Sequence, residues 1–92
     1  MDGKEEMTEH RRNMLLGWIR YNLIPTKSFN YDYKVFEIKE LFERDPNGFP
    51  ISAGDFTETM KRAGFLVKLE DEPDLCRCSI SNKSPALRFL KK

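Results

Sequence analysis

The chain is 92 residues long, the length of one domain, with 34% charged residues of both signs and a formal net charge of +1. That balance exerts no overall pull toward nucleic acid or an anionic membrane, so any such binding has to come from a local patch. A chain this short buries only about 60–65% of the surface its unfolded form exposes. Its core must therefore be dense, and seven Phe, three Tyr and one Trp supply broad apolar area in few residues.

The opening residues carry Asp2, Glu5, Glu6 and Glu9 with no apolar run, which points away from a secretory signal or an Arg-rich transit segment. Residues 1–7 are expected to form a disordered tail. The longest apolar stretch, Met14 to Ile19, is six residues, against roughly 20 needed to span a bilayer. Two cysteines are too few to staple a secreted mini-protein. The expectation is a cytoplasmic protein with no membrane partner.

From Thr8 an apolar stripe at Met14, Leu15, Trp18, Ile19 and Leu23 predicts a helix of about four turns, with Arg12 and Arg20 on the opposite side and Pro25 as its stop. After a short extended link, Tyr31, Val35, Ile38 and Phe42 repeat at helical spacing and predict a second helix. Asp45-Pro46-Asn47-Gly48 breaks it with turn-forming residues. Ser52 is a good N-cap for a third helix, with Asp55 three residues on and Phe56, Met60 and Ala63 on one face. Gly64 stands where a left-handed residue ends such a helix.

After Gly64 the period changes from 3.6 to 2. Phe65, Val67 and Leu69 predict one strand, and Cys76, Cys78 and Ile80 a second, joined by the polar turn Asp71-Glu72-Pro73-Asp74. Ser84-Pro85 then marks the N-cap and first position of a short final helix. The order predicts an α+β, winged-helix-like domain over residues 8–82: a three-helix core with a two-stranded β-hairpin wing. Residues 83–92 follow as a basic C-terminal segment or short helix.

Particular residues carry a resemblance. Ile24-Pro25-Thr26-Lys27, Phe42-Glu43, the run Gly48 to Phe56, Met60, Ala63-Gly64-Phe65 and the run Ile80 to Ser84 span about two thirds of the chain. In them the sequence resembles a family of short proteins carried by phages and other mobile elements of Gram-positive bacteria. The family has Asn where this chain has Ala53. The resemblance implies a mobile-element setting and a winged-helix-like fold, and it transfers no catalytic or binding residue.

Little in the sequence points to catalysis. Cys76 and Cys78 share a strand face, but a structural zinc site needs four ligands, and His10, the single histidine, is more than sixty residues away. Two small buried side chains are the simpler reading. His10 stands beside Arg11 and Arg12 in a charged turn, a poor place for an oriented base. Glu37, Glu40 and Glu43 alternate with Lys39 and Arg44 as a solvated face with ion pairs. No catalytic residue, cofactor site or metal site is predicted, and the chain is read as a non-enzyme.

Binding remains. The face of the third helix expected to be exposed carries Thr57, Glu58, Lys61 and Arg62, and the wing carries Glu70, Asp71, Glu72 and Asp74 against Lys68 and Arg77. A neutral helix and an acidic wing suit phosphate contact poorly. Positive charge collects instead in two acid-free segments, with Arg11, Arg12, Arg20 and Lys27 in the first and Lys83, Arg88, Lys91 and Lys92 in the second. Packed together they would form one basic patch. A protein partner is favoured, with an inhibitor or regulator as the role; the alternative is a DNA-binding accessory or transcriptional regulator. The expected state is a monomer or weak homodimer.

Overall fold

A computed structural model describes residues 7–72 and 75–90, which form an α+β fold of three helices and a two-stranded antiparallel hairpin. Helix α1 spans Glu9–Asn22; Thr8 caps it, its Oγ1 accepting from the Arg11 amide at 3.1 Å. Helix α3 spans Ala53–Arg62, and Ser52 Oγ accepts from the Asp55 amide at 3.1 Å. It ends as its sequence predicts. Gly64 has φ +97°, and the amides of Gly64 and Phe65 return to the carbonyls of Lys61 and Met60, a Schellman ending.

Helix α2 spans Val35–Arg44, so it begins four residues later than the Tyr31 start read from the apolar spacing. The cause is local. Asn30 Oδ1 accepts from the Asp32 amide at 2.8 Å and Glu37 Oε1 from the Lys34 amide at 2.9 Å, bonds that favour a turn and then a helix start at Val35. Tyr31 is left exposed. The solvated carboxylate face of this helix is also corrected in part. Lys39 is buried and pairs with Glu43 at 3.2 Å, while Glu43 Oε2 accepts from the Ile51 amide at 2.9 Å and ties α2 to the entry of α3.

Strand β1 is Val67–Lys68 and β2 is Arg77–Cys78, in the register Val67 opposite Cys78 and Lys68 opposite Arg77. Both are shorter than the alternation suggested. The Phe65 amide is spent on the end of α3, and the Leu66 amide bonds the Ser79 hydroxyl at 2.8 Å instead of a backbone carbonyl. Beyond β2 the chain is paired on its other side as well. The link after α1 runs along residues 76–81, with Ser81 N to Ile24 O at 2.7 Å, Thr26 N to Ser79 O, Asn30 N to Cys78 O and Val35 N to Cys76 O at 2.9 Å each, and a bridge between Pro25 and Ile80. The buried Asn30 fastens this seam, its amide donating to Ile80 O at 2.8 Å and to Asn82 Oδ1 at 2.7 Å.

The final element, Pro85–Leu90, is a 3₁₀ helix. Ser84 does not cap it through its side chain; its Oγ accepts from the Ile24 amide at 2.7 Å, and its carbonyl takes the Leu87 amide in the i to i+3 pattern. Helices α1 and α2 both pack on α3, and the 3₁₀ segment packs on α2. Leu15, Ile19, Phe42, Phe56 and Met60 form the centre of the core, with Cys76, Cys78 and Ile80 facing it from the hairpin side and Met7 packed against its edge. Among the described residues, no helix is long and apolar enough to cross a membrane.

Three substitutions test this architecture. Gly17 lies mid-helix with open space where a methyl group would stand, so Gly17→Ala should raise stability by about 0.5–1 kcal/mol in urea melts. A methyl on Gly48 would collide with the backbone carbonyl of Phe42, so Gly48→Ala should lower it by more than about 1 kcal/mol. Asn30→Ala, which strands the buried Ile80 carbonyl in the seam, should cost about 1–3 kcal/mol.

Candidate protein-interaction cleft

The residues expected to touch a partner are dispersed by the fold. Thr57 is 7% exposed, and its hydroxyl donates to the Gly54 carbonyl at 3.0 Å, so it is removed from the outer face of α3. Glu58, Lys61 and Arg62 remain exposed there. Arg12 is not opposite the core: it is half-buried, its Nη1 reaching Thr59 Oγ1 on α3 at 3.5 Å. Arg11 lies over the Phe49 ring at 4.9 Å. Both stand near the start of α1, about 15 Å along its axis from Asn22, the end that meets the C-terminal segment. The single basic patch is therefore divided. Arg20, Lys27, Lys83 and Arg88 are exposed in the part near that segment, and Lys91 and Lys92 lie outside the described residues.

On the hairpin, Glu70, Asp71 and Glu72 are exposed, and Asp74 lies outside the described residues. The two hairpin cations are occupied. Lys68 Nζ donates to Tyr31 Oη at 3.1 Å and sits 5.3 Å from that ring; Arg77 donates to the Tyr31 carbonyl at 3.0 Å, its guanidinium 5.7 Å from the ring. The Tyr31 hydrogen bond is the main reason that the Lys68 ammonium is held above its ordinary value. Among the described residues, the hairpin also offers Leu69, the carboxylates of Glu70, Asp71 and Glu72, and Leu75 to solvent.

The surface feature that sequence reading missed lies on the flank of α1. Two adjoining depressions, each about 290 Å³, share Trp18, Asn22 and Asp45 as a common wall. One continues to Leu41, Pro46, Ala86 and Phe89, the other to Met14 and Tyr21. Tyr21 is 85% exposed and Phe89 75% exposed. Trp18 between them is held in place. Its ring makes a T-shaped contact with buried Phe42 at 5.4 Å, and Phe42 in turn meets Phe49 at 4.9 Å; separately, Asn22 Nδ2 donates to the Trp18 backbone carbonyl at 3.0 Å. The Asp45 carboxylate is occupied within its own turn, accepting from the Asn47 amide at 2.9 Å. A signal existed in the sequence: Met14, Trp18 and Tyr21 repeat at i, i+4, i+7, a second apolar stripe beside the buried one. Phe89 had no partner signal at all.

Cys76 and Cys78 are both free and buried, pointing into the core side by side as their alternation implied. Burial first, and the neighbouring Cys76 second, push the Cys78 thiol up to about 12. At neutral pH it is a thiol, not the reactive thiolate. Among the described residues, no three His, Cys, Asp or Glu side chains converge on a common point. Compared with protein-family models, curated proteins and solved structures, the chain gives no match.

The thiol has a consequence for stability. Its value in the folded protein lies above the ordinary 9.0, so its contribution is fully present below that pH and is lost as pH rises toward 12. Between those values stability should fall by up to about 1.4 kcal/mol per pH unit. Urea melts of the wild type and Cys78→Ala at pH 8 and 10.5 measure it: the wild type should lose more than the variant, and equal losses would contradict the assignment.

Proposed function

We propose that the chain is a non-enzymatic winged-helix module, acting in the cytoplasm, that binds a short apolar-anchored segment of a protein partner in the cleft around Trp18. The element order supports the fold reading, since α1, an edge-paired link, α2, a capped α3 and a hairpin follow one another as in that architecture. The resemblance to mobile-element proteins makes a host or element protein the natural partner and an inhibitory or regulatory role the natural outcome.

The observation that carries the reading is the pair Tyr21 and Phe89, 85% and 75% exposed, on either side of a Trp18 packed on the core. Aromatic side chains dominate the energetics of protein contacts, and a fixed one gives up little entropy on binding. Together the two exposed rings offer roughly 300 Å². A standard folded interface needs about 800 Å² from each partner. The cleft is thus matched to a segment with one bulky side chain for each depression, not to a broad folded surface.

DNA contact is the second reading. Lys61 and Arg62 favour it, exposed on the last turn of α3. Against it stand Glu58 on the same face and the hairpin, where Glu70, Asp71 and Glu72 outnumber Lys68 and Arg77 and repel phosphate.

Random peptides displayed and selected on the purified protein test the proposal. Enriched peptides should shift the emission of Trp18, the single tryptophan, and Phe89→Ala should weaken them at least about tenfold, or about 1.4 kcal/mol, with unchanged circular dichroism. Failure to enrich any peptide that moves Trp18 would reject the cleft. Mixed-sequence duplex titrated by fluorescence anisotropy at about 50 and 200 mM salt decides the other reading: steeply salt-dependent binding lost in Lys61→Ala/Arg62→Ala would establish it.

A further inference from the structure

Two oppositely charged surfaces lie at separate ends of one rigid segment. At one end, the Ile24 amide donates to Ser84 Oγ at 2.7 Å and the Ser81 amide to the Ile24 carbonyl at 2.7 Å, which joins the two acid-free stretches of the chain. Chain connectivity keeps exposed Arg20, Lys27, Lys83 and Arg88 within about 10 Å of that junction. Ile24 is exposed among them, and Asp32, bonded to Asn82, stands at the edge. At the other end, the hairpin presents exposed Leu69, Glu70, Asp71, Glu72 and Leu75, with both of its cations turned to Tyr31.

The two surfaces cannot meet within one molecule. Residues 76–81 lie between them, hydrogen-bonded to the hairpin on one side and to the link on the other. The six steps from Leu75 to Ser81 cover about 20 Å when extended. Each end needs a complement from outside, and a second copy carries both. In a two-fold antiparallel pair the same 20 Å spacing brings each hairpin tip to the other copy's junction at once, so a contact that is heterologous singly closes in a dimer. Arg20 lies roughly 160° around α1 from Trp18.

We propose that two copies associate antiparallel, the acidic, leucine-bearing hairpin tip of each seated on the basic Ile24–Ser84 junction of the other. Exposed ion pairs contribute little individually and are screened by salt. The dimer is therefore weak and dissolves at high ionic strength.

Sedimentation velocity on the full chain tests this, with circular dichroism confirming that each variant is folded. A dimer at about 50 mM salt should become monomeric at about 500 mM. Reversal of the tip (Glu70→Lys, Asp71→Lys and Glu72→Lys together) should weaken association at least tenfold. Reversal of the junction (Lys83→Glu with Arg88→Glu) should do the same. Each reversed protein should fail alone, and an equal mixture of the two should recover association in a heterodimer, through one native contact and one with its charges exchanged. A monomer at every concentration up to about 1 mM in low salt would overturn the proposal. So would a dimer indifferent to salt and to both reversals. If the junction reversal abolishes binding of single-stranded or duplex DNA while the tip reversal leaves self-association unchanged, the junction is a phosphate site and the proposal fails. None of these results bears on Trp18 emission, which judges the cleft separately.

Discussion

Residues 76–81 are the constraint on which the remainder of the structure depends. In a two-stranded hairpin each strand normally has one solvated edge. Here the second strand is bonded on both sides, to β1 through Val67 and Lys68 and to the link through Ile24, Thr26, Asn30 and Val35. With the carbonyls of Cys76, Cys78, Ser79 and Ile80 and the amides of Ser79 and Ser81 paired, this segment can bury Cys76, Cys78, Ser79 and Ile80 under the helices. The link it holds fixes where α1 ends and where α2 begins. The hydroxyls of Ser79 and Ser84 complete the arrangement, one taking the Leu66 amide and the other the Ile24 amide. Both serines are nearly inaccessible, which in a small core is tolerable only because each is bonded.

Much of this was legible in the residues. Thr8, Ser52 and Gly64 act where their chemistry places them, because capping is decided within three or four residues of chain. The paired cysteines face inward because alternation on a strand leaves no other choice for two apolar neighbours. The start of α2 was not legible, since Tyr31 continues the apolar spacing while Asn30 and Glu37 redirect the backbone through bonds that periodicity does not encode. Ser84 shows the same limit at longer range. Its position before a proline suggests a cap, and its actual partner is sixty residues away in sequence.

Charge was harder to read than shape. Eight cations in two acid-free segments suggest one patch, but a helix distributes its residues around an axis. Arg11 and Arg12, adjacent in sequence, diverge to Phe49 and to Thr59 and become packing residues. Lys39 likewise leaves the solvated face for a buried pair with Glu43. Thr57 turns inward, its hydroxyl satisfied by its own helix. In each case a long or amphipathic side chain was assigned to water by its type and taken into the structure by its angle.

Exposed aromatics differ in what holds them, and that difference gives two of them weight. Tyr31 is exposed, but its role is structural, since it gathers Lys68 and Arg77 and fixes the hairpin against the link. Tyr21 and Phe89 have no comparable bonds among the described residues, and each flanks a depression whose shared wall, Trp18, packs on the core through Phe42. A small domain that needs its aromatic area for stability has placed two rings where they contribute little to folding and much to a surface. On the hairpin Glu70, Asp71 and Glu72 outnumber Lys68 and Arg77, which sets the electrostatic difference between the two ends of the molecule. Packing inside the domain and the character of its outer surfaces thus follow from the same few side chains.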